Sequence, residues 1–285
     1  MSREKSFADR YGAWAVVFGA SEGLGAGFVR AVARRGLNVF LVARRADLLE
    51  GLAEECRRDF GIEARCLSDD IASRGFVERF LAAVAGLEVG LLVYNAAFAP
   101  IGDFIETDPT DLSRVIDVNV RGPTALVRAL APPMVTRGRG AILLMSSLAG
   151  NQGGPRLATY AASKAFNRVL AEGLWHELGP AGIDVVACCA GAVRTPGYAL
   201  ASGGDAQGGG STRGGAKDAP GTLDAGVVAE RAVAALGRGP IVVPGFINRL
   251  AAFLLGRLLS RRAAIRVMAG STRGLEPSAE RGRRS

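Results

Sequence analysis

A tyrosine and a lysine stand four residues apart in the string Y-A-A-S-K, at Tyr160 and Lys164, and a serine pair, Ser146 and Ser147, lies upstream. Four residues make about one helical turn, so both side chains project from one helix face. A phenol has an unperturbed pKa of about 10, and an ammonium group one turn away favours the phenolate. The spacing therefore predicts an acid–base tyrosine. A core tyrosine beside a lysine at its rim is the alternative.

The string G-A-S-E-G-L-G at residues 19–25 follows the first predicted strand, residues 14–18. Glycines at a strand-to-helix turn let backbone N–H groups approach the diphosphate of a dinucleotide at the positive end of the helix. Glycine-rich turns also have purely structural uses, but the place of this one at the first strand–helix junction predicts a cofactor site. The predicted cofactor contacts in this turn are Gly19, Ser21, Glu22, Gly23, Leu24 and Gly25.

Two arginines, Arg44 and Arg45, follow the second predicted strand, residues 38–43. An acidic residue here would bind a ribose 2′-hydroxyl, whereas arginine suits a 2′-phosphate. We therefore expect NADP(H) to be preferred over NAD(H), with Arg44 as the main contact and Arg45 as a weaker one. Glu22 opposes this preference because its carboxylate would repel the phosphate. The alternative is a solvated arginine pair at a helix start.

Polar and small residues also follow the third and fourth predicted strands. A carboxylate and small side chains at these strand ends would line the adenine side of a cofactor crevice, or they could serve as local caps. The predicted contacts are Asp70, Ile71, Asn95, Ala96 and Ala97.

Strand-like and helix-like segments alternate along the chain. Strands are predicted at residues 14–18, 38–43, 63–67, 89–94, 141–145, 183–188 and 241–243. Helices are predicted at residues 24–35, 46–60, 73–85, 110–130, 158–178 and 225–236. This alternation predicts an α/β fold: a doubly wound parallel sheet of about seven strands, with helices on both faces and ligands at the C-terminal strand ends.

Composition narrows the class of protein. The chain has 285 residues, about half of them apolar, which fits one domain over residues 1–285. The net charge is +8, yet no nucleic-acid motif accompanies it, so we expect no nucleic-acid partner. The N-terminus lacks an apolar signal-peptide core, and no apolar run approaches the length that spans a bilayer. The four cysteines have no metal-site spacing, so we expect no metal, reduced thiols and a cytoplasmic location.

Three C-terminal segments depart from the alternation. Residues 197–223 are predicted to form a substrate loop, whose Gly- and Ser-rich part, residues 203–221, should be flexible. Residues 246–268 interleave apolar side chains with arginines and predict an amphipathic helix. We favour a helix over the substrate pocket or at a subunit interface, with membrane contact as the alternative. Residues 270–285 read as a disordered basic tail.

Taken together, these motifs resemble the short-chain dehydrogenase/reductase family over residues 7–245. Asn119, Ser147 thirteen residues before Tyr160, and the string A-G-A-V-R-T-P at residues 190–196 carry the resemblance further. It implies a Rossmann-type fold and a catalytic tetrad of Asn119, Ser147, Tyr160 and Lys164. It also implies that Gly191, Val193 and Thr195, with Tyr160 and Lys164, contact the nicotinamide end of the cofactor.

The family mechanism assigns a role to each member of the tetrad. Tyr160 exchanges a proton with the substrate oxygen, and Ser147 hydrogen-bonds that oxygen. Lys164 lowers the tyrosine pKa and binds the nicotinamide ribose, while Asn119 holds a water that links Lys164 to solvent. His176, the single histidine, is expected to be structural or exposed.

The chain departs from the family pattern at three positions. Phe18 replaces a threonine that would tie the glycine turn to the fourth strand, Ala97 replaces a glycine, and Cys189-Ala190-Gly191 stands where Pro-Gly is common. None of these changes removes a catalytic group.

The resemblance implies an enzyme that interconverts a ketone and a secondary alcohol, with a homodimer or homotetramer as the assembly. The apolar C-terminal helix suggests a hydrophobic substrate of the acyl, polyketide or steroid-like kind. The alternative is a nucleotide-binding protein of the same fold with a non-catalytic or membrane-peripheral role.

Overall fold

The computed structural model describes residues 6–201, 218–272 and 275. Its strands are β1 (Trp14–Phe18), β2 (Asn38–Ala43), β3 (Ala64–Ser68), β4 (Val89–Tyr94), β5 (Gly140–Ser147), β6 (Ile183–Ala190), β7 (Val193–Arg194), β8 (Leu223–Asp224) and β9 (Ile241–Val242). Its helices are α1 (Phe7–Tyr11), α2 (Gly23–Ala33), α3 (Ala46–Phe60), α4 (Phe76–Ala83), α5 (Pro109–Ile116), α6 (Gly122–Arg137), α7 (Ala158–Leu178), α8 (Pro196–Ala201), α9 (Ala225–Ala234), α10 (Phe246–Phe253) and α11 (Arg261–Thr272).

Seven of the strands form one parallel sheet in the order β3-β2-β1-β4-β5-β6-β9. The apolar runs predicted to be strands are buried: every residue of β1 and β4 lies in the interior. A sheet covered on both faces requires this pattern. The predicted fold class is therefore confirmed. Strands β7 and β8 form a separate parallel pair beside the sheet.

Two apolar layers pack on the two faces of the sheet. One layer contains Val17 and side chains of α2, α3 and α9, and the other contains Val16 and side chains of α4 and α6. This division follows from the period of two in strands, which sends successive side chains to opposite faces. Since the sheet is covered on both sides, its open edge at the C-terminal strand ends is left for a ligand.

Phe18, at the end of β1, lies in an aromatic cluster under the glycine turn. Its ring centroid lies 6.3 Å from that of Phe76, 5.0 Å from that of Phe80 and 5.6 Å from that of Tyr94. These separations are typical of favourable aromatic pairs. Apolar packing thus takes the place of the hydrogen bond that a threonine would make at this position.

The helix predicted at residues 110–130 is interrupted by a π-helical turn, Asp117–Arg121, between α5 and α6. At Gly122, which follows this turn, a Cβ would collide with the hydroxyl of Tyr94. That hydroxyl donates a hydrogen bond to the carbonyl oxygen of Val118, inside the turn. The helix therefore approaches β4 closely here, and such turns are often found at functional sites.

The prediction of one helix over residues 246–268 is wrong. Helix α10 runs into a π-helical turn, Leu254–Leu258, and the chain is extended at Leu259 (φ −91°, ψ 142°). The Ser260 hydroxyl accepts a hydrogen bond from the Ala263 N–H at 3.3 Å and begins a second helix, α11. A serine that caps a helix start is a local reason for such a break.

Other boundaries shift by a few residues, and α1, α8 and the β7–β8 pair were not predicted. Helix α4 begins at Phe76 rather than at residue 73, while β5 and β6 extend two residues beyond the predicted ends. Most of the predicted flexible loop at residues 203–221, and most of the predicted basic tail at residues 270–285, lie outside the described residues. Among the helices that the structure does describe, none combines the length and apolarity needed to cross a membrane.

Candidate active site

Ser147 and Tyr160 meet where β5 ends and α7 begins. Ser147 is the last residue of β5, and its hydroxyl accepts a hydrogen bond from the Ala149 N–H at 3.2 Å. Tyr160 lies in the first turn of α7, and its phenol is hydrogen-bonded to the Ser147 side chain. The neighbouring Ser146 is buried and donates to the carbonyl oxygen of Lys164 at 2.7 Å. Of the two serines, only Ser147 is therefore available beside the phenol.

Lys164 lies one turn beyond Tyr160 and is only 3% exposed. Its Nζ donates to the carbonyl oxygen of Met145 at 3.0 Å and lies 5.6 Å from the centre of the Tyr160 ring. Burial lowers the pKa of Lys164 from its ordinary value to about 8, since desolvation penalises the ammonium form. The lysine is thus held under the tyrosine by the backbone of β5.

The acidity of Tyr160 differs from the sequence-based expectation. Burial of the phenol raises the pKa of Tyr160 above its ordinary value, and the hydrogen bond with Ser147 opposes that rise. The direction is thus opposite to the lowered pKa expected from the spacing, because burial of the phenol is the largest cause of the shift. At neutral pH this phenol carries its proton, which is the form that a proton donor needs.

Asn119 lies in the π-helical turn and is fully buried. Its side-chain amide donates to the Phe98 carbonyl at 2.9 Å, and its side-chain oxygen accepts from the Phe98 N–H at 2.8 Å. The same amide donates to the Ser163 hydroxyl at 3.0 Å. The side chain therefore fixes the loop after β4 against α7.

Two polar residues of α7 complete this buried network and were not predicted. Ser163 donates to the Tyr160 carbonyl at 2.7 Å, and the amide of Asn167 donates to the Asn119 carbonyl at 3.1 Å. The side-chain oxygen of Asn167 is buried and has no hydrogen-bond partner among the described residues. Residues 160, 163, 164 and 167 share one helix face, so a polar stripe at helical spacing could have revealed them.

The glycine turn has the shape that a dinucleotide diphosphate requires. Gly19 has φ +74°, and a Cβ there would lie 2.8 Å from the Cα of Ala96. The side chain of Glu22, which precedes α2, makes no capping hydrogen bond, so it leaves the first N–H groups of the helix without a side-chain acceptor. An anion fits such a helix start. The residues present therefore fit a dinucleotide cofactor.

Asn95 ties this turn to β4. Its side-chain amide donates to the Gly19 carbonyl at 3.0 Å, and its backbone N–H donates to the Phe18 carbonyl at 3.1 Å. This contact supplies the link between turn and strand that the Phe18 side chain cannot make. Ala96 packs directly on Gly19, and Ala97 beyond it is exposed.

The two arginines after β2 differ in their partners. Arg45 forms an ion pair with Glu22 at 2.7 Å and donates to the Ser21 hydroxyl at 3.0 Å. Arg44 is exposed, and its guanidinium makes no hydrogen bond or ion pair with any residue that the structure describes. Glu22 is therefore neutralised by Arg45, while Arg44 is the arginine left for an incoming anion.

Both carboxylate oxygens of Asp70 are bound by other groups of the protein. One carboxylate oxygen binds the Arg114 guanidinium at 2.5 Å, and the other accepts the Ala72 N–H at 3.0 Å. Burial alone would raise the pKa of Asp70, but the hydrogen bonds from Arg114 and Ala72 outweigh it, and the pKa is lowered. The carboxylate thus links the end of β3 to α5, and Ile71 beside it packs into the core. These contacts favour the local-capping alternative for Asp70.

The segment after β6 faces the glycine turn from the other side. A Cβ at Gly23 would lie 3.0 Å from the side chain of Thr195, whose hydroxyl accepts the Tyr198 N–H at 3.1 Å. Val193 belongs to β7, and a Cβ at Gly191 would lie 2.6 Å from the buried Asn248. Of the predicted nicotinamide contacts, Thr195 therefore lies directly against the glycine turn, while Gly191 packs on Asn248 of α10.

A small cavity adjoins Tyr160. Pro100, Phe104, Leu112 and Leu157 contribute apolar walls to it. Phe104 is 59% exposed. His176 lies exposed near the far end of α7, away from this group. Over the part of the chain that the structure describes, no three His, Cys, Asp or Glu side chains are grouped to hold a metal.

A sequence model of the family described as short chain dehydrogenase matches residues 13–202, which is more than half of the chain. The chain belongs to this family. The members of this family are oxidoreductases that bind nicotinamide cofactors and act on small molecules.

Two curated relatives show how similar the sequence is to proteins of named activity. The very-long-chain 3-oxoacyl-CoA reductase of Podospora anserina is 38% identical over 180 residues, which are 61% of this chain and 53% of the relative. The dehydrogenase therefore matches about half the length of that relative. The 7beta-hydroxysteroid dehydrogenase of Clostridium sardiniense is 33% identical over 191 residues, 67% of this chain and 73% of the relative.

Solved structures agree with the fold. A 7beta-hydroxysteroid dehydrogenase superimposes with a TM-score of 0.83 at 27% identity and covers 93% of this chain and 99% of its own. A short-chain dehydrogenase from Sphingobium yanoikuyae in complex with NADPH superimposes with a TM-score of 0.71 at 28% identity, over 81% of this chain and 87% of its own.

Proposed function

We propose that this protein reduces a ketone to a secondary alcohol, and catalyses the reverse oxidation, with NADP(H) as its cofactor. The observation that carries the proposal is the Ser147–Tyr160 hydrogen bond with the buried Lys164 beneath the phenol ring. Tyr160 holds a proton at a position next to Ser147, so the two hydroxyls would bind one substrate oxygen between them. When bound, the nicotinamide supplies the hydride.

The raised pKa of Tyr160 supports reduction as the favoured direction near neutral pH. A protonated phenol is ready to donate to the developing alkoxide, whereas oxidation first requires the phenolate. Lys164 is fixed to the Met145 carbonyl at 3.0 Å, and the family resemblance assigns it a contact with the cofactor ribose. Its buried charge would then favour the phenolate as the proton leaves.

The preference for NADP(H) rests on Arg44. Its guanidinium is exposed at the end of β2, has no ion-pair partner among described residues and suits a 2′-phosphate. Glu22 is a weaker obstacle than its charge alone suggests, because Arg45 already binds it at 2.7 Å. The NADPH in the complex of the Sphingobium yanoikuyae relative is consistent with this preference.

We propose a hydrophobic substrate of the acyl or steroid class. Pro100, Phe104, Leu112 and Leu157 form the apolar part of the cavity wall beside Tyr160, and Phe104 and its neighbour Ile105 are exposed. A very-long-chain 3-oxoacyl-CoA reductase and a 7beta-hydroxysteroid dehydrogenase among the relatives, by their names, act on molecules of these classes.

The test is a screen of ketones that follows NADPH absorbance, with acyl, steroid and small polar ketones as separate groups. The Tyr160→Phe variant serves as the blank, because it keeps the ring and loses only the hydroxyl. Turnover of apolar ketones by the wild type alone supports the proposal. Equal rates in the variant, or no turnover of any ketone with either cofactor, would refute it.

We further propose that the protein forms a homo-oligomer in a reducing, cytoplasmic environment. Helix α7 exposes Phe166 and Val169 on one side, about one turn apart, as apolar side chains that association would cover. The cysteines are free thiols, and three of them are buried. Light scattering coupled to size exclusion measures the assembly, and a monomer at all concentrations would contradict it.

A further inference from the structure

Helix α10 and the π-helical turn after it present an apolar face to solvent. We call this the α10 face, and it consists of Phe246, Ile247, Leu250, Phe253, Leu254 and Leu258. Phe246 is 71% exposed, Phe253 56% and Leu258 66%. Their spacing of three and four residues places them on one side of the helix. An apolar surface this continuous usually marks a site of interaction.

The opposite side of these helices is fixed to the body of the protein. Asn248 is buried, and its amide donates to the carbonyl oxygens of Gly221 at 3.0 Å and Pro244 at 2.9 Å. In α11, Ala264 is buried, and Arg261 donates to the Asn151 carbonyl at 2.7 Å. The α10 face is therefore held outward by the fold and is not the loose end of a frayed helix.

Arginines lie on the same C-terminal helices as this face, and within residues 246–272 no carboxylate accompanies them. Residues 246–272 contain five arginines and no aspartate or glutamate. Four of the five make no ion pair and no side-chain hydrogen bond with any described residue: Arg249, Arg257, Arg262 and Arg266. Elsewhere most arginines are paired with carboxylates, as Arg30 is with Glu55 and Arg35 is with Glu230. An anionic partner would neutralise the positive charges of these unpaired arginines.

We propose that the α10 face docks on the surface of an anionic phospholipid bilayer. The phenylalanines and leucines would enter the boundary of the acyl chains, while the arginines bind the phosphate groups around them. A second copy of this chain fits less well, because a two-fold contact through the same face would set arginine against arginine. The contact is peripheral, and it does not depend on the catalytic proposal.

The experiment is flotation of the full-length protein with vesicles. One set contains equal parts of phosphatidylcholine and phosphatidylglycerol, and the other contains phosphatidylcholine alone. We expect binding to the anionic vesicles only, with a marked loss at high salt, where surface charges are screened. Equal binding to both kinds of vesicle, or no binding to either, would overturn the proposal.

Two double variants address the two components of the face. Phe246→Ser with Phe253→Ser should lower the partition constant by roughly tenfold or more, and Arg249→Glu with Arg257→Glu should do the same. The matched controls are Leu81→Ser on α4 with Val135→Ser on α6, and Arg128→Glu with Arg231→Glu elsewhere on the surface. All four residues of the controls are exposed, and both control variants should bind as the wild type does.

Circular dichroism checks that each variant is folded, and the arginine variant keeps the test valid if the phenylalanine variant unfolds. Size-exclusion chromatography without lipid tests the alternative that a second copy of this chain covers the face. A wild-type oligomer that the Phe246→Ser, Phe253→Ser variant converts to a monomer would assign the face to a second copy and overturn the membrane proposal.

Discussion

The ammonium nitrogen of Lys164 lies 5.6 Å from the centre of the Tyr160 ring, and its hydrogen bond goes to the Met145 carbonyl rather than to the phenol. Met145 directly precedes the serine pair that ends β5, so the sheet positions the lysine. Strand β5 and helix α7 therefore act as one unit, in which backbone geometry sets the distance between the two titrating groups.

Replacing Tyr160 by Phe should reduce turnover by about a hundred- to ten-thousand-fold, since the phenol supplies the proton. Cofactor affinity should change little, because the ring remains. Single-turnover kinetics and a fluorescence titration with NADPH measure the two effects. Tyr11→Phe is the control. Tyr11 lies on α1, far from the site in sequence, and the variant removes a hydroxyl that donates a hydrogen bond to Asp184 at 2.8 Å. It should leave turnover intact. A Tyr160→Phe enzyme with half the wild-type rate would disprove the mechanism.

The pH dependence should differ between the two reaction directions. Burial raises the pKa of Tyr160, so the phenolate needed for alcohol oxidation is scarce at neutral pH and accumulates as the pH rises. We expect kcat/KM for oxidation to increase into the alkaline range, while kcat/KM for reduction stays level around neutrality. An oxidation optimum at or below neutral pH would contradict this assignment.

Lys164 should also affect stability as a function of pH. Its pKa is about 8 in the folded protein and 10.5 when unperturbed, so between these values the unfolded chain binds more protons than the folded one. The free energy of unfolding should therefore rise with pH across this window, by about 1–3 kcal/mol more in the wild type than in Lys164→Met. Denaturant titrations at several pH values measure the difference. If the free energy of unfolding changed with pH equally in the two proteins, folding would not lower the pKa of Lys164.

Cofactor preference should depend on Arg44 and on the Glu22–Arg45 pair. Arg44→Asp should lower the ratio of kcat/KM for NADPH to that for NADH by at least tenfold or so, since a charge-assisted contact contributes about 1.5–3 kcal/mol. Glu22→Gln should raise the ratio, because it releases Arg45 from its 2.7 Å ion pair. Arg128→Asp, an exposed arginine on α6, is the control. A ratio that Arg44→Asp leaves unchanged would remove Arg44 from the cofactor site.

The close approach of α6 to β4 gives a test of the π-helical turn. Gly122→Ala would push a methyl group against the Tyr94 hydroxyl and displace the turn that holds Asn119. Overpacking of this kind costs about 1–3 kcal/mol of stability, and turnover should fall with it. Tyr94→Phe removes the obstructing oxygen, so the double variant should recover part of both losses. Strictly additive effects would mean that the two residues do not interact.

Local pattern was enough to predict the sheet and much of the site. The buried runs such as β1 and β4 read directly as strands, and the serine, tyrosine and lysine lie at a strand end and a helix start that the sequence marks. The four-residue spacing alone placed Lys164 under Tyr160. These features could be predicted because each depends on residues that are close together in the sequence.

What could not be predicted depends on contacts between distant segments. The ion pair of Glu22 with Arg45 joins two turns, and the break before Ser260 needs knowledge of where α11 packs. The π-helical turn arises from Gly122 meeting Tyr94, 28 residues upstream in the chain. The raised pKa of Tyr160 likewise reflects burial, which spacing does not reveal.

The strand order has a consequence for synthesis on the ribosome. Strands β1 to β4 form one contiguous half of the sheet in the order β3-β2-β1-β4, and β5, β6 and β9 then add one after another beside β4. Each of these later strands finds its partner already translated and adjacent. The nascent chain can therefore extend its sheet in the order in which it emerges, and the pocket for the diphosphate can take shape before the segment that carries the tyrosine has been made.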